Sequence, residues 1–308
     1  MDLTPLVFLL YFGLQRAVPI AIAAQGELIT EKSGILNIGI YGAMLIPAFV
    51  AAAVDLAVAS STGGASPYIG LLAAMAAGVG INFLFSFLAT KTHIDQVIAG
   101  IGINIFAVGI TTVFLELFYS LDGTPNDRTL APLFRIGGLP NNTSLPISPL
   151  MVTMFVLPVL VYLFLGRSKL GLHIRAVGEN PTAAEAAGIN VARVRMLATS
   201  IGGALLGLGG AYLTVDLNRY FIFDPSSSFM PAFIALAAVI SGGWNPAYVL
   251  GMGILFGGTE ALHPVLNLPS NQGYLLDALP YLVTVIVLGI ASKRLRPPAA
   301  LALPYKKE

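Results

Sequence analysis

The sequence lacks cysteine and has few charged residues. Without cysteine, the chain cannot form disulfides, zinc–thiolate sites or iron–sulfur clusters. Charged residues make up 10% of the 308 positions, against about 25% in an ordinary soluble domain, and the formal net charge is +1. This balance excludes a soluble globular protein, a disordered chain and a nucleic-acid-binding protein with a basic face.

Elements of catalytic chemistry are also missing. The histidines are His93, His173 and His263, which lie far apart, so no metal site is expected. No Gly-x-x-x-x-Gly-Lys-Ser/Thr phosphate loop occurs, so the chain cannot hydrolyse ATP by that means. No histidine or paired aspartates lie in the middle of an apolar segment, which leaves an intramembrane enzyme without a catalytic dyad. The sequence therefore predicts a protein that is not an enzyme and has no cofactor of its own.

Long apolar segments dominate the chain, 56% of which is hydrophobic. Turn and breaker residues separate about nine of them, and a helix of about 20 apolar residues crosses a bilayer. The segments are roughly 5–24, 34–58, 68–90, 94–118, 149–166, 193–215, 230–241, 246–262 and 274–291. The pattern predicts an all-α polytopic membrane protein with a single transmembrane domain over residues 1–308. Two segments, 149–166 and 230–241, are short for a full span.

Lysine and arginine are concentrated on one side of the predicted bilayer. If the loop 167–192 is cytoplasmic, alternation of the spans places the tail 292–308 on the same side. That side then carries twelve basic residues: Lys32, Lys91, Arg167, Lys169, Arg175, Arg193, Arg195, Lys293, Arg294, Arg296, Lys306 and Lys307. The opposite side carries three: Arg128, Arg135 and Arg219. The bias predicts a cytoplasmic C-terminus and an external N-terminus; one miscounted span would move the N-terminus but leave 167–192 inside.

Polar and glycine residues interrupt two apolar stretches, at 30–39 and at 241–246. The interruptions lie in opposite halves of the chain, and in transporters such pairs point to an internal repeat and to the substrate path. Asn245 followed by Pro246 is typical of a helix start, and Asn37 lies near the other interruption. We predict two broken helices in an internal pseudo-repeat. Asn37, Trp244 and Asn245 either line the path or belong to structural turns at the cytoplasmic interface.

Several other polar residues fall within the apolar segments: Gln15, Arg16, Asn82, Asn104, Glu116, Glu260 and Asp277. Polar groups at membrane depth usually face the interior of the helix bundle. Asn104 is the best candidate for hydrogen bonding to a solute, the alternative being an interhelical hydrogen bond. The three carboxylates lie near the outer ends of their segments, so no chain of carboxylates crosses the middle. This disfavours an ion-coupled secondary transporter.

Small residues recur at helical spacing within two segments. Gly203 and Gly207 form one Gly-x-x-x-Gly pair, and Gly253 and Gly257 form another. Such pairs allow helix backbones to approach closely in lipid. We therefore expect tight helix–helix packing along both segments.

The loop 167–192 contains a short helix with signals at both ends. Asn180 is a plausible N-cap, Pro181 a first helical residue and Gly188 a terminator. The predicted helix, at 179–188, has about two turns and is rich in alanine. Because so short a helix is unstable alone in water, it needs a partner surface and suits docking into a groove of another protein.

These segments resemble those of a known transporter family. The loop resembles the coupling segment of permease subunits of ATP-binding-cassette importers. The run from Glu31 to Gly42 resembles the Glu-Arg-Ser-Gly…Asn-Ile-Gly-x-Glu-Gly segment of the nucleoside and simple-sugar branch of the branched-chain amino acid and ribose-type permeases. The run from Phe233 to Pro246 is similar to that branch's second signature. The resemblance covers about residues 5–291. Tyr41 departs from it, since the branch usually has an acidic residue there.

The resemblance implies a permease that works by alternating access within a larger assembly. It implies an ATPase subunit that binds ATP and Mg²⁺, a second and related permease, and an extracytoplasmic substrate-binding lipoprotein. It assigns ATPase coupling to Gly178, Glu179, Asn180, Pro181, Ala184 and Gly188. It favours nucleosides over simple sugars as the solute, and the inner membrane of a prokaryote as the location.

Overall fold

A computed structural model describes residues 4–92, 94–119, 124–125, 129–137, 144–218, 220–221, 230–266, 276, 278–291 and 296–305. Of the residues named above, His93, Arg128, Arg219, Asp277, Lys293, Arg294, Lys306 and Lys307 lie outside these ranges.

The described residues are mostly helical. The helices are α1 (Thr4–Glu31), α2 (Ile40–Thr62), α3 (Ser66–Lys91), α4 (Gln96–Phe118), α5 (Pro149–Arg167), α6 (Lys169–Glu179), α7 (Pro181–Ala186), α8 (Val191–Tyr212), α9 (Met230–Ser241), α10 (Pro246–Glu260), α11 (Leu262–Leu266) and α12 (Leu279–Ala291). A short 3-10 turn spans Gly63–Ala65, and a π-helix, Leu213–Leu217, continues α8. Four short strands, β1 (Thr124–Pro125), β2 (Phe134–Ile136), β3 (Leu145–Ile147) and β4 (Tyr220–Phe221), form antiparallel pairs β1–β4 and β2–β3.

Six helices are long and apolar enough to cross a membrane: α1, α2, α3, α4, α5 and α8 with its π-helix. The other apolar helices are shorter, with 12 residues in α9, 15 in α10 and 13 in α12. At 1.5 Å per residue these span about 18–23 Å, less than the hydrocarbon core of about 30 Å. The chain is thus a polytopic all-α membrane protein. Of the nine predicted segments, the described residues form six of full length.

Helices α1 and α8 occupy the centre of the bundle. About 67% of the span in α8 is buried, against 28% of α4, and α4 carries many exposed apolar side chains, including Ile105 and Leu117. An exposed apolar face gains little by leaving lipid, because lipid is itself apolar. The central helices must therefore associate through close packing rather than through the hydrophobic effect.

The glycine pairs provide this packing, as predicted. A Cβ on Gly203 would lie 2.4 Å from the carbonyl oxygen of Gly78, so α8 and α3 meet backbone to backbone. A Cβ on Gly257 would lie 2.3 Å from the amide nitrogen of Ala17, which places α10 directly on α1.

We expect Gly257→Ala to lower the thermal unfolding midpoint of the detergent-solubilised protein. The new methyl group meets backbone atoms of Ala17 that cannot rotate away, and overpacking of this kind costs about 1–3 kcal/mol. The adjacent Gly258→Ala is the matched control, because a Cβ there meets nothing within 4 Å. Equal midpoints for the two variants would contradict this packing.

Candidate functional site at the helix breaks and the coupling segment

The first interruption lies between α1 and α2, at residues 32–39, the first break. The amides of Lys32, Ser33 and Gly34 donate to carbonyls of the last turn of α1, and the chain is then irregular until Ile40. Gly34 has φ +87, a left-handed conformation that favours glycine. A Cβ there would also lie 2.9 Å from Arg195 Nη2. The left-handed backbone therefore favours glycine where α1 ends, and the space there is tight.

The second interruption lies between α9 and α10, at residues 242–245, the second break. Gly243 and Trp244 have φ values of 60 and 54, and the left-handed conformation is uncommon and strained for a residue as bulky as tryptophan. Asn245 caps α10 as predicted: its side chain accepts a hydrogen bond from the amide of Ala247, at 3.0 Å, and Pro246 is the first helical residue.

The two breaks lie side by side. The indole Nε1–H of Trp244 donates to Glu31 Oε2, and the side-chain amide of Gln25 donates to the carbonyl of Pro246 at 2.9 Å. Both interruptions were predicted from the sequence and both are confirmed. The bonds bring segments from opposite halves of the chain into one polar cluster.

The first break brings together Asn37 and Asn104 from the predicted substrate path. Asn37 is buried, and its Nδ2 donates to Asn82 Oδ1 at 3.0 Å. The side chain of Asn104 accepts from the amide of Gly42 at 2.8 Å and donates to the carbonyl of Ile38 at 3.0 Å. Asn104 therefore satisfies backbone groups that the interruption leaves without helical partners.

The other two path residues lie at the second break, where they differ in exposure. Trp244 is buried, whereas Asn245 is exposed. Nearby, Tyr41, the departure from the family pattern, is half-buried and stacks on Phe233 of α9 with ring centroids 6.2 Å apart. An aromatic pair thus occupies the position where the resemblance implied an acidic residue.

Two buried acidic residues were missed by the sequence analysis. Glu27 and Glu31 lie one turn apart at the end of α1, and both are fully buried. Glu27 Oε1 accepts from the amide of Asn37 at 3.2 Å, while Glu31 Oε2 accepts from Trp244. The second oxygen of each carboxyl group has no hydrogen-bond partner in the described part of the chain. Their i, i+4 spacing places them on one helix face and was the signal available in the sequence.

Lys32 connects this cluster to α6. Burial lowers the pKa of Lys32 below its usual value. The negative charges of Glu179 and Glu31 raise the pKa of Lys32, whereas the positive charge of Arg175 lowers it further. The charge at the start of the first break is therefore sensitive to the position of α6.

Helix α6 rests directly on the first break. A Cβ on Gly178 would lie 2.1 Å from the carbonyl oxygen of Lys32, so only glycine permits this approach. Helix α7 follows and confirms the predicted short helix, although it is shorter than expected. The side chain of Asn180 accepts from the amide of Ala183 at 2.9 Å, and Gly188, with φ +84, ends the helix.

The six residues assigned to ATPase coupling divide into two groups. Gly178 and Ala184 are buried against the rest of the chain, and Pro181 is half-buried. Glu179, Asn180 and Gly188 are exposed. Four neighbouring residues of the same segment are exposed as well: Thr182, Ala183, Ala186 and Ala187. The segment thus presents a small, mostly uncharged surface away from the bundle.

Residues 296–305, the strap, tie this segment to the first break. The amide of Ala300 donates to the carbonyl of Gly178 at 2.9 Å, and that of Ala302 to Gly34 at 3.2 Å. The phenol of Tyr305 donates to Glu185 Oε2 on α7. The strap therefore contacts α6, α7 and the first break together.

A buried arginine fastens the strap to the bundle. Arg195 of α8 is 2% exposed; its Nε–H donates to the carbonyl of Ser33 at 3.2 Å and its Nη1–H to that of Leu303 at 3.3 Å. The backbone carbonyls of the first break and the strap thus share one cation. In the sequence, Arg195 was recognisable only as part of the charge bias.

We expect Arg195→Met to release the strap. Hydrogen bonds from a charged donor contribute about 1.5–3 kcal/mol, so amide hydrogen exchange at Ala300 and Ala302 should accelerate at least tenfold. Arg193→Met is the matched control, because Arg193 is exposed on the same helix. Unchanged exchange in the Arg195 variant would show that the strap is held without this side chain.

Comparison with known proteins identifies similar chains along almost the whole length. The sequence model of the family described as branched-chain amino acid transport system / permease component matches residues 9–288. The guanosine ABC transporter permease protein NupQ of Bacillus subtilis is 32% identical over 304 residues, 94% of each chain. The putative glucose ABC transporter permease protein TsgC13 of Haloferax volcanii is 31% identical, over 97% of this chain and 98% of the relative. The nucleoside ABC transporter permease protein NupC of Lactococcus lactis is 29% identical over 94% of each. No solved structure matches.

Proposed function

We propose that this chain, which belongs to the family of branched-chain amino acid transport system permease components, is a transmembrane permease subunit of an ATP-driven importer for nucleosides. The observation that carries the proposal is the near full-length similarity to NupQ and NupC, whose names give guanosine and nucleosides as cargo. The alternative cargo is a simple sugar, favoured by the similar identity to TsgC13. Both cargoes are neutral and rich in hydroxyl groups.

The chain acts through partners. Its relatives are permease subunits rather than enzymes, and its own sequence has no phosphate loop, so a separate ATPase subunit binds ATP and Mg²⁺. An extracytoplasmic lipoprotein delivers the solute.

The second permease is a related but different chain. In B. subtilis, NupP carries the same description as NupQ, but this chain covers only 80% of NupP against 94% of NupQ. In L. lactis the corresponding coverages are 78% for NupB and 94% for NupC. These differences support a heterologous pair in which this chain takes the place of the shorter subunit.

The topology that we propose has about nine membrane segments in the inner membrane of a prokaryote. The six long helices are completed by α9, α10 and α12, with α9 and α10 forming a discontinuous pair around the second break. The two adjacent breaks support an internal pseudo-repeat. The lysine and arginine bias supports a cytoplasmic loop at 167–192 and a cytoplasmic C-terminus.

Coupling follows the contacts at this end of the bundle. The ATPase binds the exposed surface around Glu179, Asn180 and Gly188, and its closure displaces α6 and α7. Gly178 and Ala184, which are buried, transmit that displacement to the first break. From there the Glu31–Trp244 bond carries it to the second break. Alternating access then results from movement of the two joined breaks. The solute path runs along Asn37, Asn104, Trp244 and Asn245.

Uptake by the intact complex tests this function. Labelled guanosine is given to cells that overproduce the complex, and its uptake is measured. A tag on this chain allows the intact complex to be recovered from the membranes of the same cells. Competition by excess unlabelled nucleosides, but not by excess ribose, is the expected result. Equal competition by ribose would favour the sugar permease, and uptake that neither competitor affects would contradict both cargoes.

A further inference from the structure

A second group of polar side chains lies far from the breaks. Its members are Tyr11, Gln15 and Arg16 on α1, Tyr212 at the end of α8, Asp216 in the π-helix and Glu260 at the end of α10. At 1.5 Å per residue, Arg16 is about 22 Å along α1 from Glu31. The group, called here the upper cluster, therefore lies toward the opposite membrane face from the coupling segment.

The packing of three helices brings the upper cluster together. Close contact of Gly257 with Ala17 places the last turn of α10 beside Arg16, and the Arg16 charge interacts with Glu260. Similarly, a Cβ on Gly209 would lie 3.1 Å from the carbonyl oxygen of Pro19, which sets α8 against the same stretch of α1.

Hydrogen bonds and electrostatic contacts extend the group. Tyr212 interacts electrostatically with Asp216, Tyr11 and Arg16. Gln15 donates to the hydroxyl of Tyr11 at 2.9 Å, and that hydroxyl donates to the carbonyl of Pro146 at 2.8 Å. The result is a connected polar group on α1, on α8 with its π-helix, and on α10.

One member of the cluster is unsatisfied. Tyr212 is fully buried, yet its hydroxyl has no hydrogen-bond partner within the described part of the chain. Since an unmet buried hydroxyl is costly, such a group in a native structure calls for an explanation. The π-helix that begins directly after it is a second unusual feature, because π-helical turns occur frequently at functional sites.

We propose that the upper cluster binds the ribose hydroxyls of the transported solute. The carboxylates of Glu260 and Asp216 accept hydrogen bonds from hydroxyls, Arg16 and Gln15 donate to hydroxyl oxygens, and the Tyr212 hydroxyl can do either. With one cation and two carboxyl groups among the described residues, the cluster suits a neutral ligand with a vicinal diol. This assignment rests on the proposed function and specifies which part of the solute is recognised.

The contrast between ribose and 2′-deoxyribose isolates this recognition. Maximal uptake rates of labelled guanosine and 2′-deoxyguanosine are measured for wild type, Glu260→Gln and Tyr212→Phe in the intact complex. The binding protein is the same in every case, so a change in the ratio of the two rates comes from this chain. Glu116→Gln and Tyr248→Phe, which alter exposed residues, are matched controls.

For Glu260→Gln and Tyr212→Phe we expect the guanosine rate to fall about tenfold, since each loses a hydrogen bond to the diol. The 2′-deoxyguanosine rate should fall much less, which shifts the ratio at least threefold. A purely structural role would lower both rates equally, and this result, or unchanged rates, would overturn the assignment. If the wild-type complex takes up neither nucleosides nor sugars, the proposed function itself fails, and the assignment fails with it.

Discussion

The Glu179→Lys variant is expected to reach the membrane in normal amount and to lose guanosine uptake. Glu179 is exposed at the junction of α6 and α7, and its charge acts on the half-buried Lys32. A lysine in its place faces both Lys32 and Arg175, and it reverses the charge on the surface that we propose binds the ATPase. Because like-charge juxtaposition at an interface costs several kcal/mol, uptake should fall by about two orders of magnitude or more.

Two further variants separate coupling from a general charge effect. Lys169→Glu reverses an exposed charge at the other end of α6 and should retain uptake. Glu179→Gln removes the charge without reversing it and should give an intermediate rate. Co-purification of the ATPase with each variant is measured in parallel. Normal uptake by Glu179→Lys would remove this segment from the coupling path.

Slower uptake is also expected for Glu27→Leu. This carboxyl group is fully buried and accepts from the backbone amide of Asn37 at the first break. Leucine provides no acceptor, and a buried amide left unpaired costs about 1–3 kcal/mol. The first break should then lose its shape, with a lower unfolding midpoint and at least tenfold slower uptake.

The isosteric Glu27→Gln is the control for this variant. Glutamine keeps an oxygen that can accept from Asn37, so the midpoint and the rate should stay closer to wild type. Leu and Gln variants that transport equally well would show that the Glu27–Asn37 bond does not hold the first break.

Local chemistry in the sequence predicted much of this site. The caps of α7 at Asn180 and Gly188, the cap of α10 at Asn245 and both helix breaks depend on neighbouring residues, and the structure has them where expected. The glycine pairs of α8 and α10 were also recognisable, because their spacing alone indicates a packing face.

Long-range partners account for what the sequence did not reveal. The predicted apolar segments end at 24 and resume at 34, whereas α1 continues to Glu31. The carboxylates remain in the helix because their donors come from Asn37 and from Trp244, which is far along the chain. The contacts of the strap and of Arg195 are likewise remote in sequence. The short length of α9 was recognisable in the segment 230–241, whereas α10 was expected to be longer and ends at Glu260.

Dependence of uptake on ATP tests the central claim most directly. The purified complex is placed in liposomes with the binding protein outside, and labelled guanosine uptake is followed with MgATP or a non-hydrolysable analogue at the ATPase face. We expect uptake only with hydrolysable ATP, no effect of ionophores that collapse ion gradients, and loss of uptake in Glu179→Lys. Uptake that continues without ATP and stops with an ionophore would contradict the account and identify an ion-coupled secondary transporter.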